Sequence, residues 1–287
     1  MMDSSAFFCH LFGPRSVRLT GSNLSDTIID AAWDAGLGVQ AMVWVSCFFI
    51  HQFCFISDAR FTDILLTRQF GQYNEDFLAN KWQGRRDKLL GTLHTNPKAK
   101  FVTRALQFGS GALTVSHFAT PDLLADQINA AKKNLTSLGI PVTISIEVLY
   151  YTANAGSQSV LDAIDFVDLV QLPYFSDDAS IAFKAWPDVA GALEWLTPRV
   201  NGKKIMLSLN GWPQVTPPGT SDGHAVASLE QMVDYFVLLE LLCSVLARNA
   251  GGGVAWFAGV YSVEQDPYLG ILKNGQPQFK FSPPTSC

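Results

Sequence analysis

The chain has 287 residues, 48% of them hydrophobic and 16% charged, which supplies a sizeable apolar core and rules out a disordered polyampholyte. A net charge of −5 argues against a protein built to neutralise a phosphate backbone, so no nucleic-acid partner is expected. No stretch of the chain reads as a membrane span: Ala41 to Ile56 is the most apolar run, but it is short and carries Ser46, His51 and Gln52.

In chain order, Met1 to Pro14 shows neither a basic n-region nor a continuous apolar h-region, so no signal peptide is visible. Phe7–Phe12 is a weak candidate for a first strand. Val17–Gly21 reads as a short strand, followed by a helix from Asp26 to Ala35. Ser25 caps that helix, Ile28, Ile29, Ala32 and Trp33 give it an apolar face, and Gly36 stops it. Val39–Trp44 is the next buried strand, completing a β-α-β unit with a right-handed crossover. Residues 45–80 have no clean helical or strand punctuation and read as an atypical insertion.

Regularity returns with a helix over Arg85–Leu93 and a strand over Ala99–Gly109. Thr120-Pro121 opens a helix with Leu124, Ile128, Ala131 and Leu135 on one face and Gly139 at its end. Val142–Tyr150 is a strand, Val160–Phe166 a short helix, Leu169–Phe175 a strand, and Ala179–Leu196 a helix interrupted by Pro187. Ile205–Leu209 is a buried strand ending at Asn210-Gly211, where Gly211 permits a positive φ. A long helix over Val226–Arg248, a flexible Gly251–Gly253 hinge and a last strand over Val254–Ser262 follow. The tail from Gly275 to Cys287 is rich in turns.

Repeated β-α units give an open doubly wound sheet or a closed barrel. No G-x-G-x-x-G or P-loop element opens any helix, which removes support for the nucleotide-binding version. The expectation is one α/β domain over residues 1–287, a TIM-type (β/α)8 barrel whose first strand is weak or missing. The strand C-termini would then bring Trp44, Gly109-Ser110-Gly111, Glu147, Tyr150, Tyr151, Tyr174, Asn210, Trp212, Trp256 and Tyr261 to one face. Aromatic rings stack on sugar faces and amides bond sugar hydroxyls, so this mouth suits carbohydrate; packing roles in the core are the competing explanation for each ring.

The five cysteines form no C-x-x-C pair, and Cys47 and Cys54 flanking His51 fit buried thiols better than a metal site. No metal or other cofactor is expected. A Cys243–Cys287 bridge is left open. Asn23-Leu-Ser25 and Asn134-Leu-Thr136 are glycosylation sequons.

Asn210-Gly211-Trp212-Pro213 in a strand-end loop resembles the Glu-x-Gly-Trp-Pro signature of glycoside hydrolase family 17, the β-1,3-glucan hydrolases and transglycosylases. Phe108 to Leu113 is similar to that family's Gly-Ser/Asn-Glu segment, and Val17-Arg18-Leu19, Trp44 and Ala255-Trp256-Phe257-Ala258 fit its early and last strands. The resemblance covers most of 15–44 and 81–287 and is nearest the secreted fungal branch. It implies a retaining mechanism with two carboxyl groups about 5 Å apart. Matching the motifs puts Gly111 at the acid/base position and Leu209 at the nucleophile position, and neither side chain can do that chemistry. The resemblance therefore implies a monomeric barrel, secreted or in the cell wall, that binds or formerly processed β-1,3-glucan and is catalytically impaired. Its expected sugar contacts are Trp44, Ser110, Tyr174, Asn210, Trp212 and Trp256. Two alternatives stand beside it: an active glycosidase using a relocated carboxylate such as Glu147, and a non-catalytic structural or interaction protein.

Overall fold

The computed structural model describes residues 16–18, 26–36, 38–43, 81–108, 121–146, 148, 158–218, 220, 225–256, 258, 260–264 and 266–280. Outside them lie the expected first strand at 7–12, the insertion at 45–80, and seven of the residues expected at the strand ends, Trp44, Gly109, Ser110, Gly111, Glu147, Tyr150 and Tyr151. Within them, β1 (Ser16–Arg18), α1 (Asp26–Asp34), β2 (Gly38–Val43), α2 (Lys81–Thr95), α3 (Ala99–Val102) and β3 (Thr103–Phe108) come first. Next are α4 (Pro121–Leu135), β4 (Val142–Ile146), α5 (Gln158–Ala163), β5 (Val167–Gln171), α6 (Trp186–Leu196) and β6 (Ile205–Asn210). The last elements are α7 (Leu229–Leu241), α8 (Cys243–Ala247), β7 (Val254–Trp256), β8 (Val260–Ser262), β9 (Gly270–Lys273) and β10 (Gln276–Pro277).

Strands β1 to β7 hydrogen-bond in chain order, and the resolved pairings are parallel: Ser16 opposite Gly38, Ala41 opposite Leu106, Leu106 opposite Val142, and Ile205 opposite Val254. Parallel strands with helical crossovers are apolar on both faces. Every residue of β4 and β5 is accordingly buried, as is all of β6 except the partly exposed Leu209. The chain divides into two compact units, and the boundary falls between Asp168 and Leu169, inside β5.

The helix from Pro121 is as expected. Leu124, Ile128, Ala131 and Leu135 are buried, and Gly139 ends the turn at φ 66°, its N–H donating to the Leu135 carbonyl at 3.1 Å.

Several expected boundaries need correction. The strand expected over Ala99–Gly109 begins at Thr103, because Asn96 first winds the chain into helix. Its Oδ1 accepts from Lys98 N at 2.9 Å and its carbonyl accepts from Ala99 N at 3.1 Å. Phe101 is therefore helical and 53% exposed, with its ring 5.8 Å from Trp33. The strand expected to reach Phe175 stops at Gln171, and Pro173–Phe175 forms a 3-10 turn. Pro187 does not interrupt a helix. It occupies the first turn of α6, where its missing N–H has no partner to lose.

The long helix expected over Val226–Arg248 is two helices. Ser228 caps α7 by accepting from Gln231 N at 3.1 Å, and Leu242 separates α7 from α8 with φ −95° and ψ 11°. The Gly251–Gly253 stretch is a packed turn rather than a flexible hinge: all three φ values are near 90°, and a Cβ on Gly251 would lie 2.4 Å from the Lys203 carbonyl oxygen. The last expected strand is split. Its first part, β7, pairs with β6, whereas Val260–Ser262 pairs with β9 in a three-stranded sheet completed by β10. That second sheet depends on Gly270, where a Cβ would sit 2.2 Å from the backbone of Ser262.

Candidate functional site

The compact unit that includes Leu169–Cys287 contains three of the expected sugar contacts in one cluster. Asn210 is the last residue of β6 and is fully buried. The Tyr235 hydroxyl, from α7, donates to its Oδ1 at 2.6 Å. Trp212 is also fully buried, and its Nε1 donates to the Val226 carbonyl at 2.8 Å. Tyr174 is 1% exposed and meets the Trp212 ring edge-on at 5.4 Å, while Tyr235 lies 6.3 Å from Trp212 on another side. Edge-to-face packing of this kind adds stability beyond the area buried.

Trp212, Tyr174 and Asn210, all expected as sugar contacts, are thus buried beneath the loop in this structure. Sugar stacking needs an open ring face and sugar recognition needs a reachable amide, and here both are committed to the packing beneath the loop. Nor does Gly211 take a positive φ; a Cβ there would simply touch Leu269 at 3.4 Å. Trp256 differs. It is partly exposed at the end of β7, with its ring stacked on Phe236 at 5.6 Å and 16° and Phe236 stacked in turn on Phe279 at 6.2 Å.

Adjacent residues on a strand point to opposite faces. Leu209 is thus turned away from the Tyr235 side that holds Asn210, and its partial exposure contrasts with the fully buried strand around it. This is the position at which the motif would require a carboxylate.

Three polar residues of this unit escaped the sequence reading. Gln171, at the end of β5, donates from Nε2 to Asp188 Oδ2 in the first turn of α6. Burial raises the Asp188 carboxyl above the ordinary aspartate range, opposed by its hydrogen bonds with Ser176 and Gln171 and reinforced by the charge of Asp178. Burial also lifts the Tyr235 hydroxyl well above its usual value, and the charge of Asp188 adds to that effect. Tyr235 thus stays a neutral donor to Asn210. The available signal was a tyrosine on the apolar face of a helix, which calls for a hydroxyl partner when buried.

The unit that ends at Asp168 holds a separate polar cluster. Gln40 of β2 donates from Nε2 to Gln107 Oε1 of β3 at 3.0 Å and to Asp168 Oδ2 of β5 at 2.9 Å, all three residues being buried. β2 and β5 are not neighbours in the sheet, so this bond crosses between strands rather than along the ladder. It is a carboxylate held by a neutral amide, a structural brace rather than a catalytic pair. Among the described residues no group of His, Cys, Asp and Glu could hold a metal ion, and no helix is long and apolar enough to cross a membrane. A groove of about 410 Å³ lies between α6 and α8, against Trp186, Leu193, Val245 and Leu246.

Neither a protein-family model nor a curated protein matches the sequence. Solved structures do match. An active-site mutant of a Rhizomucor miehei β-1,3-glucanosyltransferase, in complex with laminaritriose, superposes with a TM-score of 0.67 at 18% identity, covering 95% of this chain and 87% of that one. The fold is an α/β (β/α)8 barrel with a weak first strand. A glycoside hydrolase family 17 β-1,3-glucanosyltransferase from the same organism gives 0.64 at 18% identity over 92% of this chain and 86% of that one. An endo-laminarinase from Formosa gives 0.57 at 10% identity over 85% and 68%. At such identities the likeness extends to the fold.

Proposed function

We propose that the chain is a glycoside hydrolase family 17-like barrel that binds β-1,3-glucan and lacks the family's catalytic pair. The observation that carries this reading is Leu209. It is partly exposed at the end of β6, opposite the Asn210–Tyr235 anchor, at the place in the Asn210-Gly211-Trp212-Pro213 loop where the signature has its nucleophile. A saturated side chain cannot attack an anomeric carbon, and retaining hydrolysis needs two carboxyl groups about 5 Å apart. The barrel likeness to β-1,3-glucan-acting enzymes supports the substrate class. Of the expected contacts, Trp256 is the described residue with a ring partly open to solvent, and Trp44 and Ser110 complete the proposed set. A secreted or cell-wall location fits Cys243, which is disulfide-bonded, because such bonds persist in oxidising compartments.

The test is retention of the chain on laminarin together with release of reducing sugar. Retention without hydrolysis is expected, and Trp256→Ala is expected to weaken retention roughly tenfold, the cost of about 1.4 kcal/mol. Introducing Leu209→Glu with Gly111→Glu is expected to create glucanase activity; a folded, glucan-binding but inert double variant would count against the motif alignment. Hydrolysis by the unaltered chain that Glu147→Gln abolishes would replace this reading with that of an active glycosidase. Absence of any glucan retention would favour a structural or interaction protein.

A further inference from the structure

We infer that Asn134 is an N-glycan acceptor, carrying an oligosaccharide delivered to the chain in the secretory lumen. The sequon Asn134-Leu135-Thr136 has an unhindered middle residue and the threonine form of the hydroxyl position. Two separate demands must be met. The acceptor has to be extended when it is modified, which the chain satisfies before α4 forms. The folded protein then has to leave room for the glycan.

The fold meets the second demand. Leu135 faces the core and is fully buried, while Asn134, in the last turn of α4, and Thr136 are both exposed. The Asn134 carbonyl oxygen lies 2.8 Å from His94 Nε2, which donates to it. That bond uses the oxygen end of the side chain and leaves the amide nitrogen, the atom that takes the sugar, without a partner among the described residues. The Thr136 hydroxyl turns back to the Lys132 carbonyl at 2.8 Å, a local bond that forms only once the helix exists. Helix α4 is followed by the turn at Thr136–Leu138 and Gly139, which leads into the start of β4. Asn134 therefore lies beside the N-terminal end of that strand, so a glycan there extends away from the strand C-termini.

The disulfide at Cys243 fits the oxidising compartment in which such transfer takes place. The co-reactant is an oligosaccharide linked through its terminal N-acetylglucosamine to a lipid pyrophosphate. The Asn134 amide nitrogen forms the new bond to the anomeric carbon and loses one proton to a base. The bond from that carbon to the pyrophosphate oxygen breaks, and the lipid pyrophosphate leaves.

The full chain behind a heterologous secretion leader in a eukaryotic cell tests this. Amidase removal of N-glycans in heavy-oxygen water, read by peptide mass spectrometry, is expected to mark Asn134 as a labelled aspartate in most molecules whose Cys243 is oxidised. Asn134→Gln and Thr136→Ala should each abolish that mark, while Thr136→Ser and Asn23→Gln should retain it. Oxidised molecules in which Asn134 is predominantly unmodified would overturn the inference. Because the wild-type peptide is read directly, the outcome does not depend on how any variant folds, nor on whether the chain binds glucan.

Discussion

The cluster at the end of β6 and the cluster linking β2, β3 and β5 hold their buried polar groups by different partners. At β6 neutral groups meet: Tyr235 donates to Asn210, and Trp212 to the Val226 carbonyl. In the other cluster a fully buried carboxylate, Asp168, accepts from Gln40, which also serves Gln107. Hydrogen bonds to a charge are worth about twice those between neutral groups, and a buried charge that loses a donor is penalised more heavily. Aromatic volume therefore dominates the first cluster, and a buried amide–carboxyl network the second. Neither resembles a pair of carboxylates set about a sugar.

The largest test of that contrast is Trp212→Ala, which removes the buried ring that Tyr174 and Tyr235 pack against. It is expected to cost about 3–5 kcal/mol in chemical denaturation. A cost below about 1 kcal/mol would mean the ring is not the brace described. Next is Gln40→Leu, which keeps volume but strips a donor from Asp168; a loss of about 2–3 kcal/mol is expected by the same measurement. Restoring stability with the additional change Asp168→Leu would confirm that the buried carboxyl group, rather than the gap, sets the cost.

Tyr235→Phe should cost about 1–2 kcal/mol, since it removes a hydroxyl that donates to the buried Asn210 oxygen. It also changes the alkaline response. The folded Tyr235 holds its proton well above 10.0, whereas the unfolded one releases it there, so the wild type loses stability as the pH rises past that value. The Phe variant should show a shallower alkaline slope in unfolding midpoints.

The smallest expected effect is at Asp188, which is partly exposed and so discounted for solvent screening. Burial raises its folded carboxyl above the ordinary 3.8, so its charge opposes folding at neutral pH. That penalty is relieved as the pH falls through the folded value. The stability difference between Asp188→Asn and wild type should accordingly be widest near neutrality and narrow on acidification; a difference that widened in acid would contradict the assignment.

Much of the alternation of strands and helices was legible in the residues. α4 is the clearest instance: Pro121 at its start, four apolar residues on one face and Gly139 at its end fix it through local chemistry. Boundaries failed where a polar side chain redirected the backbone, as Asn96 does before β3 and Ser228 does at α7. The split of the last strand was not legible, because it depends on Gly270 approaching the backbone of Ser262 from a distant part of the chain.

The candidate site divides in the same way. The motif around Asn210-Gly211-Trp212-Pro213 and the leucine at 209 are matters of residue identity, and a leucine carries no carboxyl group. The sequence by itself determined those points, because what a side chain can donate or attack with does not depend on its surroundings. Which of the nearby rings and amides are exposed depends on what packs on them. Tyr235 comes from a helix that starts 19 residues beyond Asn210, and Val226 reaches back to Trp212 across a loop. Tertiary structure alone decided that these residues brace the strand end while Leu209 faces the other way.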